Sequence, residues 1–112
     1  MAELLGRDTT INRRKIMTQL YSKNLLRKLR NDIPVDFVIA DVLRQPNKIS
    51  EGYFRFLCPN CGEFNTAFNP KTNLGHCFSC KKNFNPIDMV MSVKTYSFTQ
   101  AVEYLMTVAR LN

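Results

Sequence analysis

The sequence predicts an α+β fold, in which a small antiparallel β-ribbon is flanked by N-terminal and C-terminal α-helices. Four cysteines form the pattern C-x2-C-x15-C-x2-C, a spacing typical of a structural zinc site. The segment that carries them is rich in aromatic and turn-forming residues, which favour short strands. The segments before and after it place apolar residues at three- and four-residue steps, as amphipathic helices do. These observations together predict a small zinc ribbon between helices.

Length and composition limit the class of protein. The chain has 112 residues, of which 45% are hydrophobic, so its core is small and a bound metal would supplement it. No apolar run reaches the ~18 residues of a membrane span. Residues Met1–Thr10 lack the apolar stretch of a signal peptide. We therefore expect a cytoplasmic protein with reduced thiols and no membrane partner.

The charge is positive and unevenly spread. The formal net charge is +7, and residues 1–32 hold eight Lys and Arg residues against three acidic residues. A basic protein suits an anionic partner, most often a nucleic acid. The alternative interpretation is that these cations only solvate helix surfaces.

The first element is a basic helical arm, predicted as a helix over residues 9–30 within a region that we place at residues 1–32. Thr9 or Thr10 is the expected N-cap, because its hydroxyl oxygen can accept a bond from a free backbone N–H. The helix should end before Pro34, since the residue preceding a proline avoids helical geometry. Its apolar stripe consists of Ile16, Met17, Leu20, Tyr21, Leu25 and Leu29. This stripe could pack on the ribbon or dock on a partner or a second copy.

A short second helix is predicted from Pro34 to Leu43, with Pro34 at its first position. Its apolar face contains Val35, Val38, Ile39 and Val42. The β-branched content of this segment makes a strand the alternative. Gln45–Asn47 is predicted to be a turn.

The ribbon itself is predicted over residues 53–84, within a domain covering residues 33–112. Its first two strands are expected at Tyr53–Leu57 and Phe64–Phe68. The turn chemistry of Asn69–Gly75 would join the second strand to a third one that enters Cys77.

Two C-terminal helices complete the predicted fold. Asn85 is an N-cap, and Pro86 at the first position opens a helix that extends to about Lys94. Ser97–Gln100 forms a capping box that opens a last helix through about Arg110. The side chains expected to face the core from this helix are Val102, Leu105, Met106 and Ala109.

The predicted metal ligands are the four cysteines. Two residues between paired cysteines let one tight turn direct both thiolates at one ion, and two such turns complete a tetrahedron. The ligand set is Cys58, Cys61, Cys77 and Cys80. Four sulfurs leave no open coordination position, so one Zn²⁺ should be structural and contribute on the order of 10 kcal/mol to folding. Disulfides and an iron–sulfur cluster are the alternatives. We expect His76 not to be a ligand, because neighbouring residues of a strand point to opposite faces.

Several ordered motifs resemble the CHC2-type zinc-binding domain of bacterial and phage DNA primases of the DnaG type. Phe54–Pro59 is similar to the family's Y-R-G-L-C-P, and Thr66–Phe68 occupies the place of P-S-F. Gly75–Cys80 is similar to Y-H-C-F-G-C. Ile87–Met91 and Ser97–Val102 resemble the helical tail, I-D-F-L-M and L-S-F-x-E-A-V.

This sequence departs from the family pattern at several positions. Cys61 replaces the usual histidine ligand, as in an all-cysteine variant, and Phe64 replaces a common lysine. Residues 81–84 replace a glycine-rich stretch. The basic arm has no counterpart that we can match to the family.

The resemblance implies binding of single-stranded DNA template and assistance in primer synthesis. In the family the chemistry is carried out by a separate TOPRIM domain, which uses clustered acidic residues to hold metal ions. This sequence has no D-x-D motif, so we expect it not to be an enzyme by itself. The implied partners are a primase, helicase or polymerase subunit.

Aromatic rings beside cations are the usual means of binding a single strand. The predicted contacts in and near the ribbon are Arg55, Lys81, Lys82, Lys71, Phe54 and Phe64. Those in the arm are Arg13, Arg14, Arg27 and Lys28. For each phenylalanine, a place in the core is the competing interpretation, because buried aromatics dominate small cores.

The leading hypothesis is a zinc-ribbon protein of bacterial or phage origin that binds DNA and assists a catalytic subunit in replication or in a mobile element. We expect it to be free-standing, with an excised domain of a longer primase as the alternative. One alternative is a protein-interaction module in which the zinc is purely structural. Another is a ribbon that binds RNA or acts in transcription.

Overall fold

The computed structural model describes residues 21–111 of the chain, with side chains up to residue 109. Two small antiparallel sheets follow two N-terminal helices and precede two C-terminal ones. The predicted α+β ribbon between helices is therefore confirmed. The predicted N-caps Thr9 and Thr10, and the arm residues up to Leu20, lie outside the described residues. Within residues 21–111, no helix has the length and apolar character needed to cross a membrane.

Helix α1 spans Lys23–Asn31 and begins later than predicted. Ser22 is its N-cap, with extended backbone angles, and the Ser22 hydroxyl accepts a bond from the Leu25 N–H at 3.0 Å. A continuous helix over residues 9–30 is therefore wrong, because the chain leaves helical geometry at Ser22. Leu29 is buried, and the helix carries four cations and no acidic residue.

Helix α2 covers Val35–Phe37 and continues as a π-helical segment, Val38–Val42. A helix rather than the alternative strand is thus confirmed. Pro34 was predicted to be the first helical residue. It is instead the N-cap, since its ψ of 133° is extended. A π-helix has wider turns than an α-helix, with hydrogen bonds between residues five apart. Here the Leu43 N–H donates to the Val38 carbonyl at 2.8 Å.

The strands form two sheets. One pairs β1, Asn47–Ser50, with β2, Tyr53–Phe56. The other has the order β3-β4-β5, formed by Thr66–Asn69, Leu74–Cys77 and Asn83–Phe84.

The strands differ from the prediction in three respects. Strand β1 was not predicted, and the expected turn at Gln45–Asn47 gives way to a strand that begins at Asn47. Strand β3 begins at Thr66 rather than at Phe64. Strand β5 was also not predicted, because it consists of only two residues paired through the backbone of β4.

Phe56 joins the two sheets. The Thr66 hydroxyl accepts a bond from the Phe56 N–H at 2.8 Å and donates one to the Phe56 carbonyl at 2.6 Å, and both side chains are fully buried. The Phe56 ring lies against Gly75, where a Cβ would approach its Cζ to 2.7 Å. Glycine is therefore required at position 75 for β4 to pack on this ring.

Helices α3, Pro86–Lys94, and α4, Phe98–Leu111, begin where the sequence predicts. Asn85 and Asp88 cap α3 reciprocally, with hydrogen bonds of 2.8 and 3.1 Å. Ser97 and Gln100 do the same for α4. The predicted core side chains Val102 and Leu105 are buried and Met106 is half-buried. Ala109 is exposed, contrary to the prediction, because the helix extends past the core that buries Leu105.

Asn73, in the turn between β3 and β4, connects the helices to the ribbon. Its amide group donates to the carbonyls of Arg30 and Ile33 at 2.7 and 2.8 Å. Its carbonyl oxygen accepts from the Val35 N–H at 2.9 Å. A single buried side chain thus satisfies backbone groups at the end of α1 and the start of α2.

Candidate metal centre and nucleic-acid interface

The sulfurs of the four cysteines converge on one point. All four sulfurs lie within 4.8 Å of one another, with 3.7 Å between Cys58 and Cys80 and 3.6 Å between Cys61 and Cys77. Zinc–sulfur bonds of about 2.3 Å in a tetrahedron would place sulfurs about 3.8 Å apart. The donor set and its spacing therefore fit one Zn²⁺ with four thiolate ligands.

The two cysteine pairs sit in turns with the same hydrogen bonds. The Gly62 N–H donates to the Cys58 carbonyl at 2.9 Å, and the Lys81 N–H donates to the Cys77 carbonyl at 2.8 Å. In each turn, the N–H of the second cysteine points at the sulfur of the first at 3.5 Å. These N–H groups stabilise thiolate charge, which is the form that binds the metal.

The residue after each turn adopts left-handed backbone geometry. Gly62 has a φ of 80°, as the sequence predicts for a glycine at this point, but Lys81 has a φ of 65°. Left-handed geometry costs a residue with a Cβ roughly 1–2 kcal/mol. The second turn therefore carries strain that the first avoids.

Replacing Lys81 by glycine is accordingly expected to stabilise the protein. We expect Lys81→Gly to raise the free energy of unfolding by about 0.5–1 kcal/mol, after the entropy cost of a glycine is deducted. Urea denaturation at saturating zinc measures this change. The matched control is Lys82→Gly, next in sequence but without positive φ, which should lower stability by about 0.5 kcal/mol. Equal losses from both variants would contradict the strain argument.

The thiols differ in acidity. A hydrogen bond from the Asn60 side chain, with further bonds, lowers the pKa of Cys80 to about 6. The hydrogen bond from the Glu63 backbone lowers the pKa of Cys61, but desolvation and the neighbouring sulfurs outweigh it and raise the pKa to about 12. Desolvation also raises the pKa of Cys58. Four negative charges on neighbouring sulfurs repel one another, so a bound dication is needed to keep all four thiols deprotonated.

The family described as CHC2 zinc finger, the zinc ribbon of DnaG, matches residues 21–112. This chain belongs to the CHC2 zinc finger family. The four clustered cysteines can form a zinc site of all-cysteine form, consistent with this zinc-binding family, and the prediction of zinc as the cofactor is confirmed.

A curated relative of this CHC2 protein is the DNA primase of Streptomyces coelicolor. The two are 30% identical over 82 residues, which cover 71% of this chain and 13% of the primase. The chain therefore spans a small part of the length of that relative.

A second feature of the CHC2 ribbon is an open groove of ≈ 850 Å³ across the two sheets. Three large apolar side chains at this groove are unusually exposed: Ile49 at 71%, Tyr53 at 54% and Phe78 at 46%. The lining also includes Phe54, Phe68, Lys71 and His76. The charged residues of the lining are one lysine, Lys71, and one acid, Asp36 of α2. Stacking rather than charge is the main interaction that this groove offers.

The aromatic candidates of the sequence separate into two groups. Phe54 lines the groove and packs edge-to-face on Phe68, with ring centroids 6.4 Å apart. Phe64 lies outside the groove lining, beneath the Lys48 ammonium at 5.2 Å. Tyr53 and Phe78 were missing from the predicted contacts. The signal available for Phe78 was its position inside the second cysteine turn, where a side chain has few neighbours to cover it.

Arg55, the first of the predicted contacts, is engaged inside the protein. Its guanidinium donates to the Thr66 carbonyl at 2.8 Å and to the Glu51 carboxylate at 3.0 Å. It also lies 5.5 Å from the centre of the Tyr53 ring, and its side chain is 17% exposed. Arg55 therefore links β2 to β3 and supports the Tyr53 ring, whatever else it contacts.

The remaining predicted cations lie at different places. Lys71 lines the groove, whereas Lys81 and Lys82 are exposed beside the second cysteine turn. Arg27 and Lys28 are exposed on α1 and are absent from the groove lining. Arg13 and Arg14 lie outside the described residues. Contact of these cations with nucleic acid stays a prediction.

Proposed function

We propose that this CHC2 protein binds single-stranded DNA in the groove of its ribbon and assists primer synthesis during DNA replication. The observation that carries the proposal is the pair of exposed rings, Tyr53 and Phe78, at one open groove beside Lys71. Exposed aromatic rings are costly in water unless a ligand covers them, and nucleobases stack on them. Membership of the CHC2 family supports DNA as the ligand.

A single strand fits this groove better than a duplex. Bases in a duplex are stacked on each other and cannot reach the faces of protein rings, whereas unpaired bases can be splayed onto them. The exposed Lys81 and Lys82 offer phosphate contacts outside the groove. Affinity should therefore combine stacking with a salt-dependent electrostatic part.

We further propose that the protein is an accessory and not the catalyst. Four thiolates fill the tetrahedral coordination of zinc, so the ion has no position for a substrate. The chemistry of primer synthesis would then come from a separate catalytic partner, a primase or polymerase subunit. A helicase is a further possible partner in the same process.

Fluorescence anisotropy with labelled single-stranded and duplex DNA, at low and moderate salt, tests the proposal. We expect tighter binding to the single strand and weaker binding as salt rises. Phe78→Ala and Tyr53→Ala should each weaken binding by about tenfold, since one base–ring stack is worth roughly 1–3 kcal/mol. The matched control is Phe98→Ala, because Phe98 is also exposed, at 36%, but lies on α4 outside the groove lining.

The cation variant should be Lys71→Ala rather than Arg55→Ala, because loss of Arg55 would also remove its hydrogen bond from β2 to the Thr66 carbonyl of the other sheet. Absence of binding at low salt, from folded and zinc-loaded protein, would contradict the proposal and favour a protein-interaction role. Equal binding of ribose and deoxyribose strands would mean that the protein does not distinguish DNA from RNA, and would contradict DNA as the specific ligand.

A further inference from the structure

His76 is a polar side chain in the lining of a groove that is mostly apolar. It belongs to β4, is half-buried and lines the groove together with Phe78. The two rings meet edge-to-face, with centroids 4.6 Å apart. A base that stacks at the exposed Phe78 ring would therefore bring its polar edge close to the imidazole.

The hydrogen bond to Asn83 determines what the imidazole can offer. His76 Nδ1 lies 2.8 Å from Asn83 Oδ1, and the two residues face each other in the register of β4 and β5. A side-chain amide oxygen only accepts, so Nδ1 carries the hydrogen. In a neutral imidazole the other nitrogen, Nε2, is then an acceptor. Among the described residues, none donates a hydrogen bond to Nε2.

We propose that His76 Nε2 is a base-reading acceptor, which takes a hydrogen bond from the exocyclic amino group of a base stacked at Phe78. This inference rests on the proposed binding of single-stranded DNA and specifies its base preference. Cytosine and adenine present such an amino group, whereas thymine presents a carbonyl oxygen at the corresponding place. An acceptor facing a carbonyl gains nothing and loses hydration, so strands with amino-bearing bases bind more tightly.

The sharpest test removes only the amino group. Short oligodeoxycytidine strands are compared with strands in which 2-pyrimidinone, which lacks the 4-amino group, replaces cytosine. Anisotropy should show wild type binding the cytosine strand about fivefold more tightly. His76→Phe keeps a stacking ring but removes Nε2, and it should bind both strands equally.

Asn83 is a positioning residue in this arrangement, and its variant gives a second test on an exposed side chain. Asn83→Ala frees the imidazole to rotate, so the preference for cytosine should fall while the affinity for the 2-pyrimidinone strand stays the same. The matched control is Asn65→Ala, since Asn65 is also exposed but bonds to Ser79 at 3.4 Å and not to His76. It should retain the fivefold preference.

The outcomes separate this inference from the proposed function. If wild type binds neither strand, the proposed function fails. If wild type binds both strands equally, or if His76→Phe and Asn83→Ala keep the preference, the base-reading role alone is overturned. Zinc content and circular dichroism of each variant establish that it is folded. A loss of affinity for both strands, with the preference intact, would also overturn the role, because it would reveal a purely structural His76.

Discussion

Removal of zinc is expected to unfold the ribbon, with a loss on the order of 10 kcal/mol of folding free energy. Cys58 and Cys77 are part of the buried core, at 1% and 0% exposure. The ion would therefore fasten the two cysteine turns to each other. A core this small cannot replace such a contribution.

A chelator titration followed by circular dichroism measures the effect, with released zinc quantified by a dye. Cys58→Ser should abolish both zinc binding and the native spectrum. Ser79→Ala is the matched control, because Ser79 is exposed in the second cysteine turn but is not a ligand. Metal analysis that finds iron, or a native spectrum that survives chelation, would contradict the zinc-dependent fold.

Acid should act in the same direction as the chelator. Each ligand must be a thiolate, so zinc binding releases protons. The pKa of Cys61 is raised to about 12, so its thiol loses a proton when zinc binds. Apparent zinc affinity should therefore fall as pH falls. Because the pKa of Cys80 is lowered to about 6, Cys80 should be the last of the ligands to be protonated as pH falls.

Features that depend on neighbouring residues could be predicted from the sequence. The cysteine spacing gave the metal site, and the capping boxes at Asn85 and Ser97 gave the first turns of α3 and α4. Each of these signals is complete within a few residues, because a cap or a turn is satisfied by groups three positions away. Ser22 was the same kind of signal, but the long apolar stripe around it concealed that a helix begins just after this residue.

Features that depend on distant backbone atoms could not be predicted. Strand β1 pairs with β2 through its backbone, and its side chains are mostly exposed, so no pattern of alternating burial marks it. Arg55 resembles a free cation in the sequence because one of its partners, the Thr66 carbonyl, is a backbone oxygen eleven residues away. The groove combines residues from both sheets, and its exposed rings are distinguished from core rings only by the fold.

Loss of the Asn73 side chain is expected to be the most damaging change away from the zinc site. Asn73→Gly removes three hydrogen bonds and leaves the buried Val35 N–H and Ile33 carbonyl without partners. Unsatisfied buried groups cost about 1–3 kcal/mol each, so we expect a loss of about 3 kcal/mol. Glycine suits the left-handed geometry at this position, where φ is 56°, so the variant adds the entropy cost of a glycine to the lost hydrogen bonds but no backbone strain.

Asn73→Ala should cost about 1 kcal/mol more than Asn73→Gly, because alanine also pays for left-handed geometry. Asn69→Ala is the matched control, since Asn69 belongs to the same turn but makes an exposed bond to the Lys71 N–H, and it should cost about 0.5 kcal/mol. Urea denaturation at saturating zinc gives the free energies. Hydrogen exchange at the Val35 amide should accelerate in both Asn73 variants and not in the control. Unchanged exchange there would mean that α2 begins at this point without the help of Asn73, and that the ribbon and the N-terminal helices are held together by apolar packing alone.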